Sequence, residues 1–267
     1  DYRRHVDAAL AALLDDADEA RLAVVAPLIE IGIHHEQQHQ ELMLTDIKHV
    51  FSVNPLRPVY TEQRDVPQQA TRPLRWLDGP EGVHEVGHEG GGFAYDNEMP
   101  RHNVFLQPFQ LADRLVTCGE YIDFMEDGGY ARPELWLSLG WAAAQQHGWS
   151  EPFYWEQRDG EWWLFTLAGM TRVRRDEPVV HLSYFEADAY ARWAGARLPT
   201  EFEWETVAAG GEQDGNFVEG GTFHPLPDTG ADSGAPRQLF GDVWEWTQSQ
   251  YSPYPGYAAP AGALGEY

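Results

Sequence analysis

Residues Trp193-Ala194-Gly195-Ala196-Arg197-Leu198-Pro199-Thr200-Glu201-Phe202-Glu203-Trp204-Glu205 crowd large aromatic rings, glycine, proline, and an arginine with four-position-spaced and alternate glutamates into one short run. Such a run holds an irregular fold together: the rings fill space and the arginine pairs with a buried carboxylate to fix a loop. Three further stretches share this texture: Tyr95-Asp96-Asn97-Glu98-Met99-Pro100-Arg101-His102, Val116-Thr117-Cys118-Gly119-Glu120-Tyr121 and Gly241-Asp242-Val243-Trp244-Glu245-Trp246-Thr247. Around them, Val104-Phe105-Leu106 and Trp162-Trp163-Leu164-Phe165-Thr166 lie between Gly, Pro and Asp clusters, the pattern of short antiparallel strands. Two short helices are expected among these strands, over Thr117 to Asp127 and Ser183 to Ala194, the second opened by a Ser183/Glu186 capping box.

Upstream the texture is different. Tyr2 to Phe51 reads as helices, with turn residues at Asp15 to Glu19 and Pro27 early in the second helix. Ser52 to Pro73 carries Pro55, Pro58, Pro67 and Pro73 and reads as an extended linker. The fold class is α+β, divided into a helical piece (1–52), a linker (53–75) and an irregular domain (76–267).

Forty-three acids against 18 basic residues give the chain a formal net charge of -25, which argues against nucleic acid or an anionic membrane surface as partner. No apolar run approaches the ~18 residues of a membrane span, and the expected location is the cytoplasm. A single cysteine excludes an internal disulfide framework and a cysteine-cage metal site. No obligatory protein partner is evident.

The strongest chemical signal is His34-His35-Glu36-Gln37-Gln38-His39-Gln40-Glu41. Residues i and i+4 of a helix stand one above the other, close enough for two imidazoles to share a metal ion. The face through His35 and His39 continues to Leu42, Asp46 and His49, where a packing helix would place leucines, so a ligand or polar network is expected along it. His34 lies about 100° off this face and is expected at the surface. The same letters match His-Glu-x-x-His, the zinc-peptidase pattern with Glu36 as base. His84-Glu85-Val86-Gly87-His88 matches it too, but among glycines, where an extended chain separates the histidines by about 13 Å.

Taken together, the Trp193-to-Glu205 and Gly241-to-Thr247 stretches resemble the formylglycine-generating-enzyme (sulfatase-modifying-factor) domain, a variant of the C-type lectin fold. A DinB-like helical bundle bearing His-Glu-Gln-Gln-His, joined to that domain, resembles the non-haem iron sulfoxide synthases of ergothioneine biosynthesis. The run from His35 to His49 carries that likeness further than its first five letters do. The resemblance implies that 1–52 are the C-terminal helices of a DinB-like iron-binding bundle. It also implies an Fe(II)- and O2-dependent enzyme that joins a thiol, cysteine or γ-glutamylcysteine, to the imidazole of hercynine and yields a sulfoxide.

By the same resemblance His35 and His39 are iron ligands, and Gln38 helps to hold the histidine-derived substrate. A proton-donating tyrosine follows the Trp-Glu-Trp-Thr stretch, with Tyr251 the first match and Tyr254 the second. A phenol remains protonated at neutral pH and suits that role. The family's third iron histidine and donor-binding arginines precede the residues present here, and its closing Arg-Gly-Gly-Ser strands would follow Tyr267. The expectation is therefore a chain lacking both termini. Cys118 stands where the fold commonly has Asn and reads as a small buried residue; Asp242 likewise replaces Asn, at a turn or a structural calcium. Related readings are a synthase using histidine (the ovothiol route) or a selenium donor (selenoneine), and a zinc metallopeptidase.

Overall fold

The computed structural model describes residues 1–62, 66, 70, 72–211, 213–230 and 234–261. Helix α1 covers Tyr2–Asp16 and α2 covers Glu19–Val53, as the helical periodicity predicts. Asp18 separates them and caps α2, its carboxylate accepting from the Arg21 N–H at 2.8 Å. Pro27 lies inside α2, which nevertheless continues to a total of 35 residues, about 52 Å of helix. Neither helix has a buried residue.

The second region opens with a long ribbon. β1 (Trp76–Asp78) pairs antiparallel with β4 (Gln110–Ala112), and β2 (Gly82–Val86) with β3 (His102–Leu106). The two ladders share one register: Trp76 faces Ala112, Val86 faces His102, and between them the Gly79 N–H donates to the Phe109 carbonyl at 2.9 Å. Glycine is required at 79, because a Cβ there would sit 2.1 Å from the Phe109 ring. A second, three-stranded antiparallel sheet follows in the order β5 (Trp155–Arg158), β6 (Glu161–Thr166), β7 (Gly169–Arg172).

Four helices accompany these strands: α3 (Cys118–Glu126), α4 (Ser138–His147), α5 (Tyr184–Trp193) and α6 (Glu201–Ala208). The sequence reading anticipates α3 and α5 but not the other two. Thr117, Ser183 and Thr200 each head a capping box, closed by Glu120, Glu186 and Glu203. The Thr200-x-x-Glu203 signal for α6 was therefore present, whereas α4 starts at Leu137 with no side-chain cap.

The core lies where α3, α4 and α5 meet. Tyr121, Phe124, Leu135, Trp136, Ala144 and Ala189 are buried, with Trp141, Phe185, Tyr190 and Trp193 around them. Full burial of Tyr121 and Phe124 stabilises the fold by about 2–3 kcal/mol each. Cys118, Ile122, Trp155 and Leu164 join this core to the three-stranded sheet.

The segment read as a linker is tied down where it is described. Arg57 pairs with Glu156 at 2.7 Å, and the N–H groups of Tyr60 and Thr61 both donate to the Leu167 carbonyl, at 2.8 and 3.2 Å. Arg72 pairs with the buried Asp113 and, at 2.7 Å, with Asp228. Pro67 lies outside the described residues. Among the described residues no helix is long and apolar enough to cross a membrane.

Candidate functional site

Helix α2 meets the strand-rich region along one line. His34 stacks on Phe93, with ring centroids 3.8 Å apart. Glu41 accepts from the Trp244 indole N–H at 2.6 Å. Lys48 Nζ lies 2.5 Å from His181 Nε2. Positions 34, 41 and 48 are two helical turns apart and so share one face. Helical periodicity adds Gln38, Thr45 and Ser52 to that face, which is polar throughout. A seam of this kind excludes little water, in contrast to the aromatic core behind it.

His35 and His39 stand about 100–140° around the helix from His34, at the edge of this seam. Their Nε2 atoms are 3.0 Å apart and their ring centroids 4.6 Å. That separation suits a hydrogen bond between the two rings or two ligands of one metal ion. Among the described residues no group of three His, Cys, Asp or Glu side chains is arranged to hold a metal.

The remaining stripe departs from expectation. Leu42 and Asp46 are exposed, and the polar face turned toward the second region is the neighbouring one, through His34, Glu41 and Lys48. His34, expected at the surface, is half-buried against Phe93 because it belongs to that contacting face. His49 is engaged elsewhere, with its Nδ1 3.3 Å from the Tyr154 hydroxyl. Gln38 is exposed, between the contact line and the histidine pair. Glu36 is exposed.

The two tyrosines differ. Tyr251 is 89% exposed, and its hydroxyl accepts from Asn97 Nδ2 at 3.2 Å. Asn97 belongs to a short 3-10 turn, Asp96–Glu98, next to Phe93 and Tyr95, which pack on His34. Contacts thus run from Tyr251 to the immediate neighbour of His35. Tyr254 is buried; its ring packs on His102 and Phe202, and its hydroxyl donates to Glu201 at 2.9 Å. Burial and then the Glu201 carboxylate raise its pKa above the ordinary phenol range.

The other flagged positions are structural. His84 lies on β2, in extended chain, and its Nε2 is 3.1 Å from the Glu81 carbonyl. Cys118 is buried, its thiol directed at the Pro178 carbonyl at 3.5 Å, and burial raises its pKa far above the usual thiol value. Asp242 serves the turn. Its Oδ1 accepts from Asn216 Nδ2 at 2.9 Å and the Leu226 N–H at 2.8 Å, and its Oδ2 accepts from Gln238 at 3.2 Å.

Sequence reading missed Phe93, Trp244 and His181 as partners of α2. Only the seven-residue spacing of His34, Glu41 and Lys48 marked that face beforehand. It also passed over Glu245, between Trp244 and Trp246, whose pKa burial raises to about 7.

Residues 76–236 match the sulfatase-modifying factor enzyme 1-like domain. The chain belongs to that family. It is 35% identical over 269 residues to a hercynine oxygenase of Mycobacterium tuberculosis, covering 93% of this chain and 61% of that protein. A hercynine oxygenase of Mycolicibacterium smegmatis is 35% identical over 256 residues, covering 84% of this chain and 56% of its own. A formylglycine-generating enzyme of Thermomonospora curvata is 30% identical over 240 residues, covering 71% of this chain and 75% of its own. The chain thus spans less than two thirds of the length of the hercynine oxygenases it matches.

Proposed function

We propose that this chain is part of an Fe(II)- and O2-dependent sulfoxide synthase acting on hercynine and a thiol, cysteine or γ-glutamylcysteine. The observation that carries the reading is the His35–His39 pair, with Nε2 atoms 3.0 Å apart at the edge of a polar seam. Likeness to two hercynine oxygenases over most of the chain supports it. In this reading residues 1–52 are the last helices of a DinB-like bundle, and the third ligand comes from residues outside the chain.

The reaction balances as thiol plus imidazole C–H plus O2 giving the sulfoxide and one water. The thiol and the carbon supply four electrons, two in forming the C–S bond and two in oxidising sulfur. The chemistry an Fe(II) ion supplies when bound is the reduction of O2 by those electrons. His35 and His39 hold the ion through Nε2. Gln38 orients the imidazole substrate with its side-chain amide. Tyr251 gives up the proton of its hydroxyl, and its exposure leaves that oxygen open to a substrate in the seam. Tyr254 is the weaker candidate, because its proton is already committed to Glu201.

The full-length protein, purified without oxygen and loaded with Fe(II), tests this. O2 uptake and product mass are followed with hercynine and each thiol in turn, then with histidine and a selenosugar as substitutes. A hercynine sulfoxide with either thiol is the expected product. Absence of O2 uptake with every pair, together with stoichiometric zinc and peptide cleavage, would overturn the proposal in favour of a metallopeptidase.

A further inference from the structure

Three tyrosines stand at three-residue intervals in one short loop, Tyr251-Ser252-Pro253-Tyr254-Pro255-Gly256-Tyr257. The loop lies along the segment that leads into β3. The Tyr257 hydroxyl donates to Asp96 Oδ2 at 2.6 Å, and the Tyr251 hydroxyl accepts from the adjacent Asn97 Nδ2 at 3.2 Å. Tyr254 packs on His102, with ring centroids 4.5 Å apart, and donates to Glu201 at 2.9 Å. The Tyr257 N–H closes the turn onto the Tyr254 carbonyl, also at 2.9 Å. Tyr254 and Tyr257 thus anchor one end of the loop, and Asn97 meets the other.

What separates Tyr251 from the other two is the direction of its hydrogen bond. The Tyr254 and Tyr257 hydroxyls each give their proton to a carboxylate. Those contacts help to raise both phenols above their ordinary pKa range, after burial for Tyr254 and ahead of it for Tyr257. Tyr251 meets an amide nitrogen, which can only donate. Its oxygen is therefore the acceptor, and its own proton is left for another partner. Asn97 is itself held in place from the side of α2. It lies in the 3-10 turn Asp96–Glu98, where the Glu98 carbonyl accepts from the His88 N–H at 2.7 Å, and Phe93 just before that turn stacks on His34.

We infer that Asn97 is the positioning residue of the proton-donating tyrosine: its side-chain amide holds the Tyr251 oxygen, leaves the phenol proton uncommitted and stabilises the charge that appears when that proton leaves. This deepens the function proposed above and rests on it for the role of Tyr251. In the transfer the Tyr251 O–H bond breaks, its electron pair stays on the phenol oxygen, and the proton goes to the oxygen atom that ends as water. The thiol and imidazole C–H protons that the reaction releases restore the phenol. An N–H donated to a neutral phenol oxygen is weak, and it becomes charge-assisted once that oxygen is ionised. The Asn97 contact is therefore stronger after the transfer than before it, which is the condition for lowering a barrier rather than tightening a ground state. A carboxylate at position 97 does the reverse, because it takes the phenol proton as Glu201 takes that of Tyr254.

Two measurements on the full-length protein test this role, and the first needs neither metal nor turnover. The Asn97 side-chain amide resonance, identified by its loss in Asn97→Asp, is followed by NMR in the metal-free protein. Tyr251→Phe is expected to shift it, and an unmoved resonance overturns the contact. The second is a double-mutant cycle read as sulfoxide against oxidised thiol. Asn97→Ala is expected to lower kcat for the sulfoxide roughly tenfold with KM for hercynine unchanged. Asn97→Asp should lower it further, and Asn97→Gln, which keeps an amide donor, should recover part of the loss. Asn97 is exposed, so all three variants are expected to fold. In a Tyr251→Phe background the Asn97→Ala loss should disappear, because both residues act through one proton. Losses that add in the double variant, or a rise in KM alone, overturn the positioning role of Asn97 and leave Tyr251 as donor. An unchanged product in Tyr251→Phe overturns the donor and its positioner together. If no substrate pair turns over, the synthase reading fails and takes the role of Asn97 with it.

Discussion

The indole N–H of Trp244 donates to the Glu41 carboxylate at 2.6 Å, joining α2 to the loop after β7 and α6 across 203 positions of sequence. Trp244 is otherwise 87% exposed, so the bond holds position more than it buries surface. Trp244→Phe keeps the ring and removes the donor. Its stability cost is expected within about 1 kcal/mol. Turnover is expected to fall roughly tenfold, because small misplacements between the helix proposed to hold the metal and the facing loop are costly. Parallel assays of iron content and product formation check this: iron stays, product falls.

Loss of either proposed ligand acts on the metal itself. His35→Ala or His39→Ala is expected to weaken Fe(II) binding by more than about 100-fold, beyond the range seen for residues that merely orient ligands. His34→Ala provides the contrast. That ring stacks on Phe93 and points away from the pair, so iron affinity should hold while the seam loosens. Anaerobic titration of the full-length protein with Fe(II) separates the two behaviours, and tight binding in His39→Ala would remove that residue from the ligand set.

Much of the architecture was legible because local chemistry agreed with the fold. Ser183 and Glu186 announced α5, Val104-Phe105-Leu106 announced β3, and the i, i+4 histidines announced a shared helix face. Helix α4 was not legible, since Leu137 offers no cap and Gly140, packed against Phe185, weakens helical propensity in its first turn. The site was half legible. The i, i+4 spacing places His35 and His39 on one face, but nothing local identifies Phe93, Trp244 and His181 as the residues opposite α2. Those contacts join loops far apart in sequence, and only the packed core sets their positions.

Tyr251 and Tyr254 sit three residues apart and should respond oppositely to the loss of a hydroxyl. Tyr251→Phe removes an exposed group whose hydrogen-bond partner among the described residues is Asn97, so stability should change by less than about 0.5 kcal/mol. Its product is expected to shift from sulfoxide toward simple thiol oxidation. Tyr254→Phe takes the donor from Glu201 and should cost about 1 kcal/mol of stability while leaving the product unchanged. Urea unfolding and product mass spectrometry, run on both variants, distinguish them; a reversed pattern would transfer the proton-donor role to Tyr254.

Arg197 grips Glu203 with both terminal nitrogens, at 2.7 and 2.6 Å, while the Thr200 N–H donates to the same carboxylate at 2.8 Å. Burial opposes ionisation of Glu203, yet these donors hold its pKa below the ordinary carboxylate range. Glu203→Ala removes the ion pair and the N3 member of the α6 capping box together. The expected loss is about 3 kcal/mol, a fall in Tm of roughly 10 °C. Arg197→Met should cost less than Glu203→Ala, because the capping contact to Thr200 survives. Calorimetric melts of both variants give the order, and equal losses would mean that the ion pair alone fixes this loop.

Glu245 gives the folded chain a pH dependence of its own. Burial raises its pKa to about 7 in the folded chain, against about 4.3 for an unperturbed glutamate. The native state therefore binds this proton more tightly than the unfolded chain does. Its contribution to stability is complete below about pH 4.3, declines as pH rises toward 7, and is lost above that. A shift of this size corresponds to at most about 3.5 kcal/mol across the window. Glu245→Gln keeps the shape and abolishes the titration. Between pH 5 and 8 the variant should therefore lose less stability than the wild type, and at pH 8 it should be the more stable protein. Denaturant midpoints at the two pH values measure the difference directly. Parallel declines in both proteins would show that the carboxylate finds a compensating donor once ionised, and the pH sensitivity would then have to be sought in other titratable groups.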